Sequence, residues 1–409
     1  MSISDFSISG FAGFLETVHK ERPLQKKAWE SFKQKGLPHK KLENFHYFPF
    51  KKLYEKSLVL GQGIPSQEEV LDHVMPEAKE SYLVFVNGSF IPERSCIPSA
   101  LEVLSLEEGL KQYGFFLQGR ITKWIKEEKD PFALLNFALY QEGVFIYLPP
   151  KMQLNAPLQC LHYSTSKDHY HPSTVYFFGS LESRASVVST VVGEGVYHPV
   201  IDVSLEERAL FSYTESSRKG KGILLSDVRA SIKSCAEFNY FNITASDVIA
   251  RHHLNISLMG EGAKTDLQGV WNLTNHSQCH ISVDMKHLEP HTFSHQRFKG
   301  VLRGSSQSSF EGKIHVDQKA QKTEAYQVNH NLLLNEGAIA NARPNLTIFA
   351  DDVKASHGAT VAELDEEHLF YLQSRGLSLS CAKELLVKSF IQEVLNQIPF
   401  PSLFHDFFV

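Results

Sequence analysis

The sequence predicts a mainly β protein, a β core of roughly 200 residues held between helical segments at both ends. Three observations carry this. From about Phe132 to Ala350, short apolar and β-branched runs alternate with turn residues. No helical pattern of ~12 residues interrupts them convincingly. Outside that stretch, apolar residues recur at intervals of three and four instead. A sandwich and a β-helix both fit such a core, and no strict repeat period decides between them.

In chain order, Phe11, Phe14, Leu15 and Val18 recur at helical spacing, and Trp29 and Phe32 continue an apolar face. Pro23 ends the first helix or opens the second. The segment Gly36 to Glu55 (GLPHKKLENFHYFPFKKLYE) mixes Lys with Phe and Tyr. An anion- or base-stacking surface is one reading; an aromatic-anchored packing segment is favoured, because the whole chain carries a net charge of -5. Tyr82 to Phe90 (YLVFVNGSF) reads as a hairpin around Asn-Gly. Leu101 to Glu128 returns to helical spacing. After Gly143 comes the strand Val144 to Leu148, then runs such as Thr174 to Phe178, Ala185 to Val192, Ala209 to Thr214, Leu254 to Leu258, Val270 to Leu273, Lys313 to Val316 and Leu346 to Phe349.

Ala350 to Gly376 (ADDVKASHGATVAELDEEHLFYLQSRG) is the stretch around which the chain is organised. Its first half is expected to be irregular, polar and titratable. Its second half predicts a short helix with Asp365 as N-cap, Glu366 and Glu367 in the first turn, and Arg375 and Gly376 at the close. Ser378 then caps a helix to about Asn396, with Leu385, Leu386, Phe390, Val394 and Leu395 as its apolar stripe. Pro399 and Pro401 stop it, and the tail SLFHDFFV is rich in aromatics.

Composition narrows the function. With 409 residues, 42% of them hydrophobic, the chain buries a sizeable core in two or three domains. Nucleic-acid binding has no electrostatic support at this net charge. No basic leader followed by a long apolar stretch opens the chain, and no apolar run of ~18 residues suggests a membrane span. Cys96, Cys160, Cys235, Cys279 and Cys381 are dispersed, odd in number and never form CxxC. They suit a reducing cytoplasm and offer no thiolate cage for zinc or an iron–sulfur cluster. No phosphate loop and no GxSxG occurs.

Twenty histidines is a high count. His252 and His253 are adjacent, and His276, His280, His287, His291 and His295 follow. The four-residue steps from His287 to His295 would align ligands on a helix, but Pro290 and the turns around them argue for turn and edge positions of a β domain instead. Asp351 and Asp352 are adjacent, so on a strand they would point to opposite faces.

Longer motifs add what spacing does not supply. Lys322 to Gly376 closely resembles the most characteristic segment of the SufB/SufD family of iron–sulfur cluster assembly proteins. FEGKIHVDQKAQKT (Phe310 to Thr323), MGEGAKTDLQGVW (Met259 to Trp271), and LYQEGVFIYLP with APLQ (Leu139 to Gln159) resemble the same family. GLPHKKLENFHY is similar to its N-terminal GIPxxKxExWxY pattern, with Phe45 where Trp is usual. SHGAT, the SRG ending, the length and the lack of a cysteine-rich insert favour the SufD branch over SufB.

The resemblance implies a right-handed parallel β-helix core flanked by helical domains, here residues 1–140, 141–355 and 356–409. It implies a non-catalytic scaffold that pairs with SufB through β-helix edges and grips the ATPase SufC with its C-terminal helices. ATP would be bound by SufC. An iron–sulfur cluster would form transiently at the SufB interface, with none held stably by this chain alone. In the family motif ADDVKCSHGAT the interface histidine falls on His357, a metal-ligand candidate, while the motif's Cys is Ala355 here. Phe370, Tyr371, Leu372 and Arg375 are the expected SufC-docking residues. Pairing of the chain with itself in the absence of SufB stays open, as do cluster type and sulfur donor. Two other readings are a catalytic β-helix of the polysaccharide lyase or esterase type and a SufB-type principal scaffold; the cysteine positions disfavour the latter.

Overall fold

The computed structural model describes residues 15, 22–61, 65–245, 248–404 and 407. The expected helix around Phe11, Phe14 and Val18 lies outside these, as do the tail residues His405, Asp406, Phe408 and Val409; Leu15 is buried.

In chain order the main helices are α1 (Pro23–Lys35), α2 (Phe50–Tyr54), α3 (Gln67–Leu71), α4 (Leu106–Gln112), α5 (Gly114–Glu127), α6 (Pro131–Leu139), α7 (Glu366–Ser374) and α8 (Leu379–Leu395). The strands are β1 (Val59–Leu60), β2 (Tyr82–Val86), β3 (Ser89–Phe90), β4 (Glu102–Ser105), β5 (Val144–Leu148), β6 (Leu158–Tyr163), β7 (His169–Gly179), β8 (Arg184–Leu205) and β9 (Leu210–Ile232). They continue as β10 (Glu237–Thr244), β11 (Val248–Leu258), β12 (Lys264–Leu273), β13 (Gln278–His287), β14 (Phe293–Leu302), β15 (Gln307–Val316), β16 (Thr323–Leu333), β17 (Ile339–Ile348) and β18 (Val353–Ala362).

Pairing decides between the two architectures left open by the strand pattern, in favour of the parallel β-helix that the resemblance implies. From β10 to β16 each strand bonds in parallel to the strand one coil later, not to the next in the chain: β10 to β12, β12 to β14, β14 to β16 and β16 to β18 on one wall. On the other wall β11 bonds to β13, β13 to β15 and β15 to β17. The result is a parallel β-solenoid of about 7 turns, with each coil giving one strand to each wall. The long strands β8 and β9 bend and serve both, Arg184 to Thr190 on the first wall and Gly195 to Leu205 on the second. Rungs such as Leu210, Glu237, Lys264, Phe293 and Glu324 stack in register, 27 to 31 residues apart. The hairpin β2–β3 forms around Asn87 and Gly88, both at positive φ, as the Asn-Gly pair requires.

One corner repeats in every coil. Lys151, Glu182, Arg208, Cys235, Gly262, His291 and Lys322 all take φ between 54° and 70°. Each turns its N–H along the solenoid axis onto the next coil's carbonyl. Arg208 donates to Ser234 at 3.0 Å, Cys235 to Glu261 at 2.9 Å and Lys322 to Asp352 at 2.7 Å. The left-handed conformation costs side-chain-bearing residues about 1–2 kcal/mol. The axial hydrogen bond satisfies an N–H that would otherwise be orphaned at the corner.

The core lies between the walls: Phe177, Phe211, Phe238, Leu254, Trp271, Ile281, Phe298 and Phe310 are all essentially inaccessible. Packing there is tight enough to demand glycine at 300, where a Cβ would stand 2.0 Å from the Trp271 indole nitrogen. The outer faces are covered too. Helices α5 and α6 and the rings of Phe45, Phe48 and Phe50 lie on the second wall at Tyr176, Val196, Ile223 and Leu225. The Lys- and Phe-rich segment is therefore a packing anchor, as favoured. Helix α8 lies on the first wall against Val188, Ile243, Val270, Val301 and Leu332. Its buried stripe is Ala382, Val387, Ile391, Val394 and Leu395. This corrects part of the expected stripe: Leu385 is left exposed, because the wall meets the helix on a neighbouring face.

Candidate functional site

The open end of the solenoid is built from β17 and β18. Among the described residues each has a strand on one side only, and burial fades across them. The polar half of the 350–376 stretch is therefore not irregular: Val353 to Ala362 is a regular strand, because β16 supplies a parallel ladder for it. Only Asp351 and Asp352 remain in a bend, with Asp352 paired to Lys322.

Register places His357 opposite Gln327, which stands opposite Gln296 and then Leu267. Gln327 and Gln296 are fully buried and joined by a 2.9 Å hydrogen bond. Gln327 crosses the interior, since a Cβ on Gly312 of the other wall would meet its Nε2 at 1.8 Å. His357 thus belongs to the column that continues the solenoid interior, but among the described residues no coil covers it, and it is exposed. Ala355 lies on the same face, half-buried against the core. Among the described residues the His357 ring has no hydrogen-bond partner, so an incoming group meets an uncommitted imidazole. Asn329 and Asn331 extend the polar lining, with Asn331 donating to the Asn329 amide oxygen at 2.7 Å.

The helix beyond begins as expected. Asp365 Oδ1 accepts from the Glu367 and His368 N–H groups at 2.8 and 3.2 Å, which lowers the pKa of its carboxyl group. Helix α7 buries no residue. Phe370 is 75% and Tyr371 56% exposed, Leu372 is half-buried, and the Arg375 guanidinium lies 5.3 Å from the Tyr371 ring centre. Among the described residues Tyr371 and Arg375 are brought together, while no hydrogen bond or ring contact joins His357 to either.

The histidine series does not converge. His287 is buried between Thr292 and Ser294 at 2.8 Å each, His291 sits in a corner, and His295 faces Asp266 on the outer surface at 3.0 Å. His252 and His253 point to opposite sides of the second wall. His252 reaches Glu215 Oε2 inside at 3.1 Å, where Tyr240 and Ser226 also donate to that carboxylate. His253 faces outward to Asp227 at 2.9 Å and Asp284 at 3.3 Å. Burial opposes charge on the His253 ring, but those hydrogen bonds outweigh it and raise its pKa to about 10. Residue order had not singled out His253 with Asp227, although the coil period makes them lateral neighbours.

The architecture is that of a parallel β-solenoid flanked by helices. Residues 166–390 match the family described as SUF system FeS cluster assembly, SufBD core domain, and residues 16–160 match the SufBD protein N-terminal region. An iron–sulfur cluster assembly SufBD family protein of Synechocystis is 27% identical over 90% of this chain and 85% of its own length. The iron–sulfur cluster assembly protein SufD of Escherichia coli is 24% identical over 93% of this chain and 89% of its own. A chloroplastic protein of Arabidopsis thaliana, ABCI7, is 28% identical over 69% of this chain and 63% of its own. The chain belongs to the SufBD family of iron–sulfur cluster assembly proteins.

Proposed function

We propose that this chain is the SufD-type, non-catalytic scaffold subunit of a cytoplasmic SufB–SufC–SufD complex. The observation that carries the reading is the uncovered terminal coil with His357 on its interior-facing column, in a chain aligned along most of SufD. In this reading the β17–β18 edges pair with SufB. The nascent cluster is cargo at that junction, and His357 supplies one imidazole ligand or relays a proton there. No thiol stands at Ala355, so the sulfur ligands come from the partner.

Helix α7 presents Phe370, Tyr371, Leu372 and Arg375 to SufC, which binds the ATP. An exposed aromatic–arginine pair is the composition that anchors interfaces. Alone, the chain holds no stable cluster and is free to pair with itself. The cavity beside Met75 is lined by His73, Thr190, Ser216 and Ser402 and has no carboxylate, so it lends nothing to a polysaccharide-cleaving alternative.

Co-expression with SufB and SufC tests the reading. A ternary complex should co-purify, and Phe370→Ala with Tyr371→Ala should remove SufC while SufB is retained. His357→Ala should keep the stoichiometry and melting temperature but sharply reduce cluster formation in cells. Failure of the wild-type chain to bring down either partner would refute it.

A further inference from the structure

Inside the solenoid, one rung below His357, a buried amide oxygen has no partner among the described residues. We infer that Gln327 is a positioning residue for His357: its Oε1 accepts the ring's Nδ1–H and thereby turns Nε2, with its lone pair, toward the uncovered end. This role depends on His357 serving at that junction, as proposed.

Gln327 Nε2 donates to Gln296 Oε1 at 2.9 Å, and both side chains are fully buried. That bond turns the nitrogen back along the axis, toward the preceding coil. In a planar amide the oxygen then lies on the other side, toward the last coil. The head group is held sideways as well, because its nitrogen packs on the other wall where only glycine fits at 312. Oε1 is therefore fixed in place, closed to water, and accepts no hydrogen bond among the described residues. Buried acceptors are rarely left so, since each loses its water without a replacement.

Register leaves one side-chain donor in the last coil to satisfy it. The interior-facing residues there are Ala342, Pro344 and Leu346 on β17, beside Phe310, Gly312 and Ile314. On β18 they are Ala355, His357 and Ala359, beside Ala325, Gln327 and Asn329. Of these last-coil residues only His357 carries a polar side chain. Rungs lie about 4.8 Å apart, so a ring tilted toward Gln327 brings Nδ1 within hydrogen-bond reach of Oε1. The imidazole is exposed and turns readily. Nδ1 sits beside the backbone and stays in the column, whereas Nε2 at the ring tip projects beyond it. Histidine ligands are commonly held in this way, with one ring N–H on an oxygen that fixes the tautomer and leaves the other nitrogen for the metal.

The test reads the tautomer directly, by NMR of the full chain with 15N-labelled histidine rings in alkaline buffer. His357→Ala identifies the His357 signals. In the wild type they should report the Nδ1–H form, the minor neutral tautomer of free histidine. Gln327→Leu should shift them to Nε2–H, and in the co-expressed ternary complex it should reduce cluster formation at least tenfold. Gln327→Glu keeps an acceptor at this place, and Gln296 Nε2, itself unpaired among the described residues, is free to turn and donate to it. That variant should recover most of the cluster yield. Should Gln327→Leu misfold, the wild-type tautomer alone decides. A wild-type ring in the Nε2–H form, or cluster formation unchanged by Gln327→Leu, overturns the assignment. Cluster formation unchanged by His357→Ala refutes the junction role of His357 and this role with it, whereas the tautomer, read without partners, tests the Gln327 contact by itself.

Discussion

At the scale of residues, the dominant feature is a set of buried imidazoles. Burial lowers the pKa of His162 to about 4 and those of His171, His198, His280 and His287 to about 3. In the unfolded chain the same rings protonate near 6.5. Each therefore contributes stability that is complete above about pH 6.5 and is lost as pH falls toward the folded-state values, at up to about 1.4 kcal/mol per pH unit. His253 offsets this only in part, one ring against five: its raised pKa contributes fully below about pH 6.5 and is lost as pH rises from there through about 10. Urea unfolding at pH 7.5 and 5.5 should show a clearly lower midpoint at the acid value with the same slope. Equal midpoints would mean that these rings protonate in place. The number of histidines was legible from the sequence; their roles were not. His252 and His253 are adjacent in the chain, and strand geometry sends His252 inward to Glu215 and His253 outward to Asp227.

At the scale of elements, local signals served well. The Asn87–Gly88 hairpin and the caps at Asp365 and Ser378 stand where the sequence placed them, because each is settled by a few neighbouring residues. The face of α8 is a different matter. Hydrophobicity alone ranks Leu385 with Val394, but only contact with Val270 and Val301 on the first wall decides which is buried. Ile391→Ala should cost about 2–5 kcal/mol, a core truncation, and Leu385→Ala less than about 0.5 kcal/mol. Chemical denaturation of the two variants checks the assignment; equal costs would contradict the packing described.

At the scale of the molecule, the strand pattern foresaw a β core without distinguishing solenoid from sandwich, and the resemblance supplied the parallel β-helix that the pairing bears out. Coil length drifts between 27 and 31 residues on the rungs from Leu210 to Glu324, so no fixed period shows. His357 was found by resemblance; its place at the end of the Gln296–Gln327 column required the register. Nearest-neighbour stacking also predicts how the fold opens. The last coil has one neighbour and a thin share of core, so β17 and β18 amides should exchange with deuterium well before those of β11 to β13. Uniform protection along the solenoid would contradict that order.

The corner hydrogen bonds carry a consequence for how such a chain can vary. From Glu182 to Lys322, each coil presents the same left-handed residue to the same kind of carbonyl on the next. A gain or loss of a residue or two is absorbed in a turn between rungs, as the uneven spacing records. A slip of one residue within a strand instead turns the interior face outward along its whole length. Lineages descended from such a chain should therefore change length in two ways: by small insertions at the bends, or by duplicating or dropping a whole coil, whose flanking coils already offer each other matching ends.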